Sequence, residues 1–241
     1  MPHKRQTLNK EIMIQSKNIL VIGAHGKIGQ HLVEKLSHSN DFNTAAFIRD
    51  PDQVKDFRGE NIEAVVGNLE SSVDELRNQF EKYDTIVFTA GSGGETGLDK
   101  TVAVDLDGAG RAIDAAKKAD IKKFIMVSAA GADSREVWDK SGIKNYYIAK
   151  YYADEYLRNS GLNHAILRPT GLTDEAGTGQ IKASENYKDL NPKISREDVA
   201  ETIIHLLKMG ETELGTIEIS SGSDSIEKAL AETILSEEVP A

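Results

Sequence analysis

Between residues 141 and 161 the chain reads SGIKNYYIAKYYADEYLRNSG, with Tyr146 and Lys150 four positions apart. A phenol ionises near pH ~10, so a tyrosine exchanges protons near neutrality only with help. An ammonium one helical turn away is such help, because a nearby positive charge favours the phenolate. Residues i and i+4 project from one helix face, so the spacing suits a proton-transfer pair. The same spacing is ordinary on an amphipathic helix, and Tyr147, Tyr151, Tyr152 and Tyr156 share this one. Spacing alone therefore leaves a reactive pair and a packed or interface tyrosine face both open.

A second signature lies near the start of the chain. The apolar run NILVIG (18 to 23) leads into GAHGKIG, with Gly23, Gly26 and Gly29 three apart. In KIGQHLVEKLSHS, which follows, Ile28, Leu32, Val33 and Leu36 recur at helical spacing. A strand, a glycine turn and a helix in this order form a dinucleotide-phosphate site. Gly23 allows the tight turn, Gly26 lets a pyrophosphate reach the backbone, and Gly29 lets the helix pack on the sheet. His25, Lys27 and Ile28 complete the expected contact set, and the helix N-terminus favours the phosphate charge.

The second strand decides which dinucleotide is expected. An NAD-selective site places Asp or Glu at its end, on the ribose hydroxyls. Here TAAFIRD ends in Arg49, whose planar fork of donors suits a 2′-phosphate. Asp50 lies one step further and is accounted for by the turn RDPD. NADP(H) is thus expected in preference to NAD(H).

These residues need a scaffold, and the rest of the chain supplies its pattern. TAAFIR, IEAVVG, DTIVFTAG, KKFIMVSAAG and HAILRP read as further buried strands. Helices are expected around 52 to 57, 71 to 82 and 98 to 119, and across the Tyr-rich segment. Strands alternating with helices predict an α/β doubly wound parallel sheet, Rossmann-like, with right-handed crossovers. No linker or repeat divides the chain. A single domain over 18–241 is expected, after a lead-in over 1–17. Beyond residue 172 a glycine-containing loop, a helix at 195 to 208, the strand TIEIS and a last helix are expected as a substrate-side cover. Gly177 and Gly179 either hinge a lid or make a turn. Trp138, placed in the loop before the Tyr-rich helix, either faces a substrate or closes the loop's own apolar cluster.

Composition narrows the function classes. The chain has 241 residues, no cysteine and a formal charge of -10. The absence of cysteine excludes disulfides, thiolate metal sites and a thiol nucleophile, and accords with a cytoplasmic setting. Six scattered histidines form no HExxH or HxH pattern, so no metal site is expected. Net acidity without a basic, aromatic-laced stretch argues against nucleic acid. No apolar run is long enough to span a membrane. A small molecule is the expected partner, and the helix from 98 and the Tyr-rich helix are candidate homodimer faces.

Together these motifs resemble the short-chain dehydrogenase/reductase superfamily, in its atypical, epimerase/dehydratase-like NAD(P)-binding subgroup. The resemblance runs from about 18 to 232. It rests on GAHGKIG, on FTAG, on VDLDGAGRAIDAAKKADIKKFIMVS, on the YxxxK of YYIAK, on ILRPTGL and on ISREDVAETI. It implies Ser128, Tyr146 and Lys150 as a catalytic triad, with the tyrosine as general acid/base and the lysine also on the nicotinamide ribose. It implies cofactor contacts at Asn68 and Leu69 near the adenine, at Thr89, Ala90 and Gly91, and at Pro169. Three positions depart from the wider pattern. Asp105 occupies the position of an asparagine that completes the usual proton relay. Asn68 replaces a frequent Asp, and Thr170 a frequent Gly. The resemblance implies an NADP(H)-binding oxidoreductase acting on a small carbonyl or hydroxyl compound. The alternatives are an NADP(H)-sensing module that regulates a protein partner, and an epimerase or dehydratase.

Overall fold

Short apolar runs bounded by turn residues can bury both faces only inside a sheet covered on each side, and that is where they lie. The computed structural model describes residues 17–57, 62–93, 97–210 and 214–237. Strands β1 (Lys17–Ile22), β2 (Phe42–Ile48), β3 (Glu63–Val66), β4 (Thr85–Phe88), β5 (Lys123–Val127) and β6 (His164–Pro169) pair in parallel in the order 3-2-1-4-5-6. This is the doubly wound, Rossmann-like order. The expected lead-in lies outside the described residues apart from Lys17, which opens β1.

Alternation along β1 divides the core. Ile19 and Val21 join the apolar faces of α1 (Lys27–Ser37), α7 (Arg196–Lys208) and α8 (Ile226–Glu237). Leu20 and Ile22 join α2 (Val73–Phe80), α4 (Ala109–Lys118) and α6 (Lys144–Arg158). Helix α2 starts where Ser72 and Glu75 form a reciprocal capping box. Both faces of the sheet are thereby shut, leaving the carboxyl ends of the strands as the place for a ligand.

Several elements differ from expectation. The helical segment expected around 52 to 57 is a 3-10 helix, Pro51–Phe57. The expected helix over 98 to 119 is composite: α3 (Leu98–Lys100) passes into a π-helical stretch, Thr101–Gly108, and then into α4. Trp138 is not in a loop. Ser134 accepts the Val137 N–H and starts α5 (Arg135–Lys140), on which the indole lies. The sheet is also larger and not wholly parallel. β10 (Gly215–Ser221) adds beside β6, and β8 (Gln180–Ser184) runs antiparallel to β10 and to β11 (Asp224–Ser225). β7 (Gly171–Thr173) and β9 (Lys193–Ser195) form a separate two-stranded ribbon just past β6. Much of the chain after 172 thus widens the framework.

Candidate active site

The glycine loop is built by close packing. Gly23 has φ +84, and a Cβ there would stand 2.6 Å from the amide nitrogen of Ala90. A Cβ on Gly29 would stand 2.3 Å from the Gly23 carbonyl oxygen, so only glycine fits where α1 meets the loop. Helix α1 starts from Gly26 with no side-chain cap and no acidic residue in its first turn. The N–H groups of Lys27, Ile28 and Gly29 are therefore the uncapped positive end of a helix, which fits an anionic phosphate. Lys27 and His25 stand at this loop and are exposed. Lys27 Nζ donates to Asp174 Oδ2 at 2.6 Å, while the His25 ring lies 3.2 Å from both Asp56 Oδ2 and Gln53 Nε2.

Arg49 follows β2 directly, is exposed, and makes no ion pair among the described residues. The Asp50 carboxylate instead accepts the Asp52 N–H at 2.9 Å, which accounts for it as a turn residue. Asn68 does the same after β3, accepting the Glu70 N–H at 3.0 Å, and Leu69 packs against Gly108.

A single short loop joins the glycine turn to the Tyr-rich helix. Thr89 donates its N–H and its hydroxyl to the Ile22 carbonyl, at 2.8 and 3.0 Å. Ala90 abuts Gly23, Gly91 abuts Asp105, and the Ser92 N–H donates to Asp105 Oδ2 at 2.9 Å. Asp105 comes from the π-helical stretch and is buried. Its Oδ1 lies 3.2 Å from Lys150 Nζ, itself buried on α6. The same ammonium donates to the Val127 carbonyl at 3.4 Å and stands 5.6 Å from the centre of the Tyr146 ring. The structure thus brings Asp105, Tyr146 and Lys150 together at the ends of β4 and β5. Burial holds the Tyr146 phenol above the usual tyrosine range. Lys150 pulls it down, and Asp105 and Asp154 push it up.

Ser128, next after β5, points its hydroxyl elsewhere. It donates to Asp154 Oδ2 at 2.9 Å, and Arg168 Nε donates to that same oxygen at 2.9 Å. Arg168 also reaches Asp133 at 2.8 Å and Glu218 at 3.1 Å, and the Gly131 N–H donates to the Glu218 carboxyl at 3.2 Å. Burial raises the Asp154 carboxyl while Arg168 opposes it. Burial likewise pushes the Glu218 carboxyl up to about 7, against the pull of Arg168. Asp154, Arg168 and Glu218 were not read from the sequence as site residues. A signal existed: each is a charge inside an apolar stripe or strand, where a charge has to be paired. Pro169, next to Arg168, accepts the Ala130 N–H at 2.9 Å and so holds the loop after β5 against β6.

Trp138 does not face a substrate space. It is 1% exposed, donates Nε1–H to the Ala132 carbonyl at 2.7 Å, and lies 5.4 Å from the Tyr151 ring. Gly177 and Gly179 belong to a turn: the Thr178 and Gly179 N–H groups both donate to Asp198 Oδ1, at 2.9 and 2.8 Å.

Residues 23–209 match the family model described as NAD(P)H-binding. The chain belongs to this family of atypical short-chain dehydrogenase/reductases. It is 46% identical over 213 residues to a Bacillus subtilis protein named as an uncharacterized sugar epimerase, YhfK, covering 88% of this chain and 98% of that one. Among solved structures, a candidate NAD-dependent epimerase/dehydratase of Bacillus halodurans superposes with a TM-score of 0.82 at 34% identity, over 90% of this chain and 100% of that one. The oxidoreductase ylbE of Lactococcus lactis superposes with a TM-score of 0.79 at 32% identity, over 89% and 95%. For this NAD(P)H-binding protein a small-molecule ligand follows from the family. Among the described residues no helix is long and apolar enough to cross a membrane.

Proposed function

We propose that the chain is an NADP(H)-dependent oxidoreductase acting on a small carbonyl or hydroxyl compound. The observation that carries the reading is the loop Thr89 to Ser92. It touches the glycine turn at one end and, through Asp105, the Lys150 ammonium at the other. A dinucleotide whose pyrophosphate sits on α1 would run beside this loop towards Tyr146. Gly23, Gly26 and Gly29 would admit the pyrophosphate, with His25, Lys27 and Ile28 beside it. Asn68 and Leu69 would flank the adenine, and Thr89, Ala90, Gly91 and Pro169 the remainder.

When bound, the cofactor supplies or takes a hydride. The chain's own part is proton handling and orientation: Tyr146 exchanges a proton with the substrate oxygen and Lys150 stands beside it, while Ser128 would contact that oxygen only by turning its hydroxyl away from Asp154. Arg49, exposed at the end of β2 and without an ion pair among the described residues, favours the 2′-phosphate of NADP(H) over NAD(H). The segment after 172 supplies cover, since Asp174 meets Lys27 and Tyr187 Oη lies 3.1 Å from Ser134 Oγ. An epimerase ranks second, on the name of its Bacillus subtilis relative. Against it, β8, β10 and β11 widen the sheet instead of building a separate lobe.

The test is NADPH consumption over a panel of aldehydes, ketones and quinones, with Tyr146→Phe alongside. Reduction lost by at least a hundredfold in the variant, with NADPH still bound, is the expected result. Tight NADPH binding without any turnover would overturn the reading in favour of a nucleotide-sensing module.

A further inference from the structure

A lysine beside a tyrosine is ordinarily a charge that draws out the phenolic proton. Here the lysine has a counter-charge of its own. Lys150 Nζ stands 5.6 Å from the centre of the Tyr146 ring but only 3.2 Å from Asp105 Oδ1, and both charged side chains are shut away from water. Asp105 cannot easily swing aside, because its other oxygen accepts the Ser92 N–H at 2.9 Å. Lys150 is fixed as well, by the Val127 carbonyl at 3.4 Å. Asp154, the remaining carboxylate that acts on Tyr146, is matched by Arg168 at 2.9 Å. The charges around the phenol therefore have partners of their own, Lys150 paired with Asp105, and Asp154 held in the cluster that Arg168 forms with Asp133 and Glu218.

We propose that Asp105 cancels the field of Lys150, so that Tyr146 stands in the site as a neutral phenol and proton donor, setting the site for carbonyl reduction rather than alcohol oxidation. An isolated ammonium stabilises a phenolate through a field that falls slowly with distance. An ammonium with a carboxylate in contact presents a dipole, whose field falls much faster. Burial is the largest upward influence on the phenol, since a phenolate loses more hydration than a phenol, and Asp105 offsets the downward pull of Lys150. The direction found for Tyr146, upward, is the one this balance requires. Lys150 remains the cation of its pair, its ammonium held above the usual lysine range against the effect of burial.

The statement about direction rests on the proposed role of Tyr146; the statement about its ionisation does not. In the reducing direction the hydride and its two electrons come from the reduced nicotinamide. Tyr146 gives its Oη proton to the oxygen of the carbonyl compound, is left as phenolate beside Lys150, and regains a proton from solvent. Alcohol oxidation has to start from the phenolate and is confined to alkaline solution.

Replacing Asp105 by Asn keeps an acceptor for the Ser92 N–H, removes the charge and turns an amide donor towards Lys150. The experiment is a titration of the cofactor-free full chain with ring-labelled tyrosine, followed by carbon NMR, the Tyr146 signal being assigned by its loss in Tyr146→Phe. Wild-type Tyr146 is expected to titrate above the ~10 of free tyrosine, and Asp105→Asn to titrate at least about one pH unit lower than wild type, a tenfold rise in the acid dissociation constant. A wild-type value below free tyrosine, or no downward shift in Asp105→Asn, would overturn the proposal. The double variant Asp105→Asn, Lys150→Met removes both charges and should titrate close to wild type; a marked rise there would mean Lys150 acts uncancelled. Failure of every carbonyl compound to react would count against the oxidoreductase reading and leave the titration result standing.

Discussion

The hydroxyl of Ser128 and the guanidinium of Arg168 converge on one oxygen, Oδ2 of Asp154, each at 2.9 Å. Three elements, the end of β5, α6 and β6, are thereby joined beneath the candidate site. The two donors differ in what their removal leaves behind. Ser128→Ala leaves Asp154 paired with Arg168 and should lower stability by about 1 kcal/mol. Arg168→Met leaves Asp154, Asp133 and Glu218 together without a cation and should lower it by about 3–5 kcal/mol. Urea unfolding of the two variants measures the difference; equal losses would mean that Arg168 is not the centre of the cluster.

Glu218 makes stability depend on pH in a stated direction. Its carboxyl is pushed up to about 7 in the folded chain, from an ordinary 4.5, chiefly by burial. Between those values the folded state holds a proton that the unfolded state has released. The stability this contributes is complete below 4.5 and is lost as pH rises through about 7. Glu218→Gln imitates the protonated form at every pH. It should match wild type at pH ~5 and exceed it by roughly 1–3 kcal/mol at pH ~8. An advantage of equal size at both pH values would show that Glu218 does not carry the proton.

Trp138 supports the loop after β5 from beneath. Its ring is buried against Tyr151, with Arg135 Cζ 4.2 Å from the ring centre and its N–H on the Ala132 carbonyl. Trp138→Ala should cost about 3–5 kcal/mol. Trp138→Phe keeps most of the packing and strands the Ala132 carbonyl, at about 1–2 kcal/mol. Thermal and urea unfolding would order the two, and indistinguishable variants would remove the hydrogen bond from the account.

Arg49 is expected to read the cofactor's 2′ position. Arg49→Ala should weaken NADPH binding by about 10- to 100-fold, a charge-assisted bidentate contact being worth about 1.5–3 kcal/mol. NADH binding should stay within a factor of about 2. Fluorescence titration of the reduced nucleotides gives both constants. Equal losses for the two would mean that Arg49 contacts a group they share.

The parts of this molecule that repeat a local rule were legible before any coordinates. NILVIG and HAILRP are strands because both faces are buried, and GAHGKIG is a turn because no Cβ fits at Gly23 or Gly29. Tyr146 and Lys150 share a face because i and i+4 always do. What was missed arises from long-range pairing. Nothing near Asp154 in sequence announces Ser128 or Arg168, and the strand β8 has meaning only beside β10, which follows it by some thirty residues. The π-helical winding around Asp105 likewise changes how the segment over 98 to 119 presents its side chains, with no glycine or proline pattern that marks it. Lys123 is a further case. It looks like a solvated charge beside Lys122, yet it is buried, with Nζ capping the carbonyls of Leu206 and Gly210 at the end of α7.

The packing of α7 against α1 has a consequence for how the chain is made. The apolar face of α1, with Leu32, Val33 and Leu36, is completed by Val199, Ala200 and Ile203 of α7. The whole stretch from Ser37 to Arg196 has to be synthesised before that face is covered. At ordinary elongation speeds this takes roughly 8 to 30 s, far longer than the collapse of so short a chain. Until then α1 has only β1 and β2 to pack on, and the part of its apolar face that α7 covers stays open to water. Closure of that face waits for α7.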